Sequence, residues 1–264
     1  MTQYYFLASL LPHLEIGHVS ALGYPVFKEF LRVNLSDQGL ERVKTFLRLI
    51  DIENLRALWS GEPMDTRGNL NQEELEQAVV DLNWPGEEEF PDYLEEFLQK
   101  YHSNEERVSH FSLLMSRFLD EEKESESGFL KEYFNFEREW RLVMVGFRAK
   151  KLGKRVEVEL QFEDSTDPLV AQILAQKDAK YYEPPFEYKE LKPIFEEFAN
   201  APVELHKALY EYRFDVLQDF FGSEIFSIDR VLGYAAQLLI VEKWLELDVQ
   251  KGIEIIDKIE EGVA

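Results

Sequence analysis

The stretch from Phe129 to Val156, FLKEYFNFEREWRLVMVGFRAKKLGKRV, limits what this chain can fold into more than any other. Phe129, Tyr133, Phe136, Trp140, Val143 and Phe147 follow one another in steps of four and three. That period places their side chains on one helical face, as an apolar stripe that has to be buried. The spacing predicts a helix from about Phe129 to Leu152, roughly 36 Å long at 1.5 Å per residue. Gly153 supplies its stop. Lys131, Glu132, Arg138, Arg141, Arg148, Lys150 and Lys151 fall mostly off the stripe.

Shorter segments of the same kind fill most of the remaining chain. Tyr4 to Leu11 is an apolar run, helix or strand, broken by Pro12. Val26 to Val33 reads as a short helix. Ser36 and Asp37 are cap candidates for a longer one that ends at Gly61-Glu62-Pro63. Asn71 with Glu74 forms a capping box for a helix to Leu82. Glu87 to Gln99 is an acidic amphipathic helix with Phe90, Leu94 and Phe97 inward, and Asn104 caps another that runs to about Leu119. Arg155 to Phe162 alternates with period two, which suits a strand, and a continued helix is the alternative. Asp167-Pro168 opens a helix, and Glu183-Pro184-Pro185 is extended. Further helices are expected at 189–198, 202–221, 227–247 and 248–261. The expected fold is all-α, built of several small helical bundles. The charged run Asp120 to Gly128 reads as a loop or linker, which gives a subdomain 1–120 and a second, 121–264, built on the long helix.

Twenty Phe, twelve Tyr and four Trp in 264 residues supply a core and exclude a disordered chain. The lack of cysteine removes disulfides, thiolate metal sites and cysteine nucleophiles. A net charge of −23 repels nucleic acid and anionic membrane at long range and favours basic partners. No segment reaches the roughly 18 apolar residues of a membrane span. The opening MTQYYFLASLLPHLEIG lacks the basic region of a signal peptide, so a cytoplasmic protein is expected.

Catalytic patterns are scarce. The chain has no H-E-x-x-H, no glycine-rich phosphate loop and no G-x-S-x-G. His102, Glu106 and His110 lie four apart, which is ligand spacing on a helix, and a metal-dependent hydrolase on that face is the remote alternative. A helix beginning at Asn104 interrupts the face, and exposed polar residues are the plainer reading. Glu87, Glu88 and Glu89 point in different directions on a helix, so they suit a solvated first turn. No cofactor or metal is expected. The sharper feature is a basic island in an acidic chain, including Arg138, Arg141, Arg148, Lys151 and Arg155. It offers either a surface for an acidic partner or pairing with nearby glutamates, and pairing is the favoured reading. Asp51, Glu53, Asn54 and Arg56 are a second candidate contact, with local helix polarity as the plain reading.

Leu47 to Glu62 and Lys131 to Gly153 share a pattern. In each, an apolar run leads to a small polar residue, then to a glutamate, then to a large apolar residue followed by arginine. Tyr234 to Ile256 is a weaker third copy, with Glu242 and Trp244-Leu245. DIENLRALWSGE resembles the D-x-x-N-L-R element of the C-type rotor component of prokaryotic V/A-type ATPases, related to the eukaryotic d-type component. FEREWRLVMVGFRAKKLGKR resembles that family's second such element, which ends in R-A-K-x-x-G and is matched here by Arg148-Ala149-Lys150 and Gly153. Ile228 to Glu242 is similar to its last helical segment. YYFLASLLP looks closer to a narrower bacterial family of unassigned function, encoded in some bacteria beside V-type ATP synthase genes. The resemblance implies a funnel of related helical bundles with no catalytic residues. Such a part joins the central shaft to the membrane ring and passes torque between them, so the protein would lie peripherally on the inner face of the cell membrane. A helical adaptor or assembly factor is the alternative.

Overall fold

A computed structural model describes residues 4–85, 90–220 and 226–260. The fold is all-α, and among the described residues there is no strand. In chain order the helices are α1 (Tyr5–Leu10), α2 (Tyr24–Asn34), α3 (Asp37–Ser60), α4 (Gln72–Asp81), α5 (Asp92–Lys100), α6 (Asn104–Ser109) and α7 (Phe111–Ser125). They continue as α8 (Phe129–Lys151), α9 (Val156–Glu159), α10 (Pro168–Ala175), a 3-10 turn (Phe186–Tyr188), α11 (Leu191–Glu197), α12 (Pro202–Asp219) and α13 (Ile228–Glu260).

The chain forms two compact units: Glu41–Glu187, and a discontinuous one made of Met1–Leu40 and Tyr188–Ala264. The boundary expected at residue 120 therefore moves. Its cause lies in the acidic run, which is not a solvated linker. α7 continues through it to Ser125; Glu122 is buried and ion-paired with Arg48, and Asp120 pairs with Arg138.

In the unit of residues 41–187, α8 is the central helix. Every member of the expected stripe is buried, but so are Leu130, Phe134, Leu142, Met144 and Ala149. α8 is thus enclosed nearly all round for most of its length, not on one face. Phe118 of α7 meets Phe134 edge-on at 5.8 Å, and Phe46 of α3 lies 5.1 Å from Tyr133. Enclosure brings charge inside, and Arg138 is the clearest case. It pairs with Asp120 at 2.8 Å and Asp167 at 3.1 Å, while the other oxygen of Asp167 accepts the N–H groups of Leu169 and Val170 to cap α10.

Most expected caps and stops form. Asn71 and Glu74 make the capping box of α4. Gly61 and Gly153 take positive φ and end α3 and α8, with Glu62 N–H bonded to the Ala57 carbonyl and Lys154 N–H to the Ala149 carbonyl. Two expectations change, and an open choice between strand and helix is decided. Arg155 to Phe162 holds a helical turn, because Val156 and Leu160, four apart, are buried while Val158, which a strand would place beside them, is 46% exposed. The helix begun at Asn104 breaks at His110, and its cap is Ser103, paired in a capping box with Glu106. The two last helices are one, α13, of 33 residues. Glu87 to Glu89 lie outside the described residues.

The discontinuous unit is built on α12 and α13. Val231 to Val241 of α13 is continuously buried. Phe27 of α2 packs on Tyr234 at 5.2 Å, and Tyr4 N–H donates to the Phe226 carbonyl at 2.9 Å. The N–H of Tyr24, at the start of α2, donates to Glu242 at 2.7 Å, so α13 supplies the cap that Gly23 lacks.

Packing around α8 leaves no room at Gly146. A Cβ there would lie 2.7 Å from a ring carbon of Tyr182, 2.8 Å from its hydroxyl and 2.9 Å from Ile173. That hydroxyl donates to the Val143 carbonyl at 2.9 Å, and burial pushes the phenol's pKa well above its usual value. Gly146→Ala is expected to cost about 1–3 kcal/mol, read as a lower midpoint in urea unfolding with an unchanged slope.

Candidate partner-contact surface

The two sets of residues singled out in the sequence part company in the structure. Asp51 and Asn54 are buried in α3 and hold down the loop that follows it. Asp51 accepts N–H groups from Asn69 at 2.8 Å and Leu70 at 3.1 Å, and the Asn69 amide at 2.7 Å. Asn54 donates to the Asp65 carbonyl at 2.9 Å and accepts its N–H at 2.8 Å. Asp65 in turn pairs with Arg67 at 2.7 Å. The buried pair at the head of D-x-x-N-L-R therefore works inside the fold. Glu53 and Arg56 are exposed, and Arg56 lies 3.9 Å from Glu62.

The basic island divides as well. Arg141 pairs with the buried carboxylate of Glu163, whose other oxygen accepts the Ser116 hydroxyl at 3.0 Å. With Arg138, it belongs to the interior. Past the middle of α8 the picture reverses: Arg148, Lys151, Lys154 and Arg155 are exposed. Lys154 lies 3.4 Å from Glu159, and Arg155 lies 3.2 Å from Glu157. These exposed pairs hold their partners weakly. Lys151 sits 6.0 Å from the Phe147 ring. Lys150 donates to the carbonyls of Lys177 at 2.5 Å and Ala179 at 2.8 Å, which ties a second basic segment to this end of α8. No local pattern in the sequence announces that approach, because the partners are 27 and 29 residues apart.

His102, Glu106 and His110 do not form a ligand set. The Glu106 carboxylate accepts the N–H groups of Ser103 at 3.1 Å and His102 at 3.0 Å, and these bonds hold its pKa below the usual range. His110 stacks on Tyr101 at 4.2 Å. Among the described residues, no cluster of His, Asp or Glu is placed to hold a metal. None of their helices is long and apolar enough to cross a membrane. Among the described residues of the discontinuous unit, Ala8, His13, Arg230, Tyr234 and Gln237 border a hollow of about 500 Å³.

The family described as a protein of unknown function, DUF2764, matches residues 1–263. This chain belongs to that family. Similar chains include an uncharacterized protein of Chlamydia muridarum, 32% identical over 264 residues, and one of Chlamydia pneumoniae, 34% identical over 264 residues. Each alignment covers 100% of this chain and 99% of the relative. No solved structure matches.

Removing Asp51 and removing Arg56 should differ sharply. Asp51→Ala leaves buried N–H groups unpaired and is expected to cost at least about 2 kcal/mol, whereas Arg56→Ala stays within about 0.5 kcal/mol. Glu163→Ala strands Arg141 and should cost about 3–5 kcal/mol. Thermal and urea unfolding of the three variants check this order.

Proposed function

We propose that this protein is a non-catalytic coupling part of a V-type ATPase or ATP synthase, equivalent to the C-type rotor component. It would join the central rotor shaft to the membrane ring, at the inner face of the cell membrane, and serve torque transfer during proton or sodium transport. The observation that carries the reading is α8. The stretch that resembles the second element of the C-type component lies, up to Lys151, in a single 23-residue helix, enclosed along most of its length and clamped by Arg138 and Arg141, with an exposed basic end. A part that transmits torque needs a stiff body and an accessible contact surface, and α8 supplies both. The first resembling element lies in α3, where Asp51 and Asn54 stiffen the adjoining loop. A helical adaptor or assembly factor is the second reading, favoured by side chains such as Phe6 and Val33, which leave apolar surface exposed on α1 and α2.

Tagging the protein, solubilising native membranes gently and identifying what co-purifies tests this. Stoichiometric recovery of the shaft and ring proteins is expected. Recovery alone, or only with incomplete assemblies, would reject the coupling role and favour the assembly factor.

A further inference from the structure

The end of α8 gathers charge from two segments far apart in sequence. Arg148, Lys151, Lys154 and Arg155 come from the helix end and the turn after it, and Lys177 and Lys180 come from the segment that Lys150 holds in place. All six are exposed, in a chain whose net charge is −23. Cations at a helix C-terminus complement its dipole, which accounts for those within the last turn of α8. It does not account for Lys154, Arg155, Lys177 and Lys180, which lie outside that helix. The Lys150 ammonium, bonded to the Lys177 and Ala179 carbonyls, is what brings the two segments together.

Apolar side chains sit among these charges. Leu152 is 66% exposed and Tyr181 69%, and the Lys180 ammonium lies 5.1 Å from the Tyr181 ring. A surface with large uncovered apolar groups framed by cations is built to bury something apolar and acidic. Glu157, Glu159 and the exposed Asp178 are interleaved with the cations. A uniformly anionic plane would repel those three carboxylates, whereas a partner that presents carboxylates one by one can exchange ion pairs with the arginines and lysines and leave the site's own carboxylates facing water.

We infer that the C-terminal end of α8, with residues 177–181, is the docking site for an acidic amphipathic segment of a partner protein, its apolar side chains covering Leu152 and Tyr181. The inference rests on the reading above that this protein works by binding a partner, but not on which complex holds that partner. The two fail separately: loss of co-purification with shaft and ring leaves this site standing, and loss of the site leaves that co-purification result as it was.

The test uses the full chain and a fluorescein-labelled peptide of repeated Glu-Glu-Leu-Leu blocks, followed by fluorescence anisotropy at rising salt. Binding that weakens with salt is expected. The combined variant Arg148→Glu, Lys151→Glu, Lys180→Glu should lose at least about tenfold in affinity, equivalent to about 1.4 kcal/mol. Leu152→Ser with Tyr181→Ser, which leaves the charge unchanged, should also weaken binding. All of these positions are exposed, and unfolding curves confirm that each variant is folded. Three results would overturn the inference: no binding by the wild-type chain, equal binding by the variants, or binding to phosphatidylglycerol vesicles without binding to the peptide.

Discussion

The unit of residues 41–187 depends on closing protein around α8. A helix with only one apolar face can lie on a surface. α8 carries Leu142 on the far side from Tyr133 and Trp140, and Phe134 on the flank between, all of them buried, so it requires cover all round. That requirement makes α3, α7 and α10 neighbours of one helix and brings Arg138 and Arg141 in among them. Desolvating a guanidinium costs several kcal/mol unless carboxylates meet it. Asp120, Asp167 and Glu163 meet these two, each from a different point along the chain. The pairs work chiefly by specification: a helix shifted by one turn would leave a buried cation unanswered.

Much of this could be read from the sequence, and the reasons are local. Caps and stops act within four or five residues, so Asn71, Asp167, Gly61 and Gly153 announced their helices directly. The six residues of the apolar stripe are all buried, because their spacing is a property of the helix itself. Failures came where a distant partner decided the outcome. Asp120 to Ser125 has the composition of a linker and becomes helix because Arg48 and Arg138 wait for its carboxylates. Val156 to Glu159 alternates like a strand, so spacing alone left strand and helix open; burial of Val156 and Leu160 together goes with the helical turn.

The candidate site was legible in the same uneven way. Arg148, Lys151 and Arg155 could be singled out as charge that stands apart in an acidic chain. Nothing in sequence spacing separated them from Arg141, which has the same residue type and helical context but faces Glu163. Nor could spacing bring in Lys177, Lys180 and Tyr181, which arrive through bonds to the Lys150 ammonium. Asp51 and Asn54 show the converse. A polar motif that suggests contact is spent on the loop that begins at Gly61.

The discontinuous unit has a consequence for how the chain emerges during synthesis. α1 and α2 are made well before α13, yet Tyr4, Phe27 and the start of α2 find their partners in Phe226, Tyr234 and Glu242. Until α13 leaves the ribosome, the opening helices have no lasting place to bury their aromatic rings. Residues 41–187 can close on themselves in the meantime, since both ends of their core lie within that span. The order of maturation is therefore middle first and ends together, and the opening helices are the part most in need of shielding while they wait.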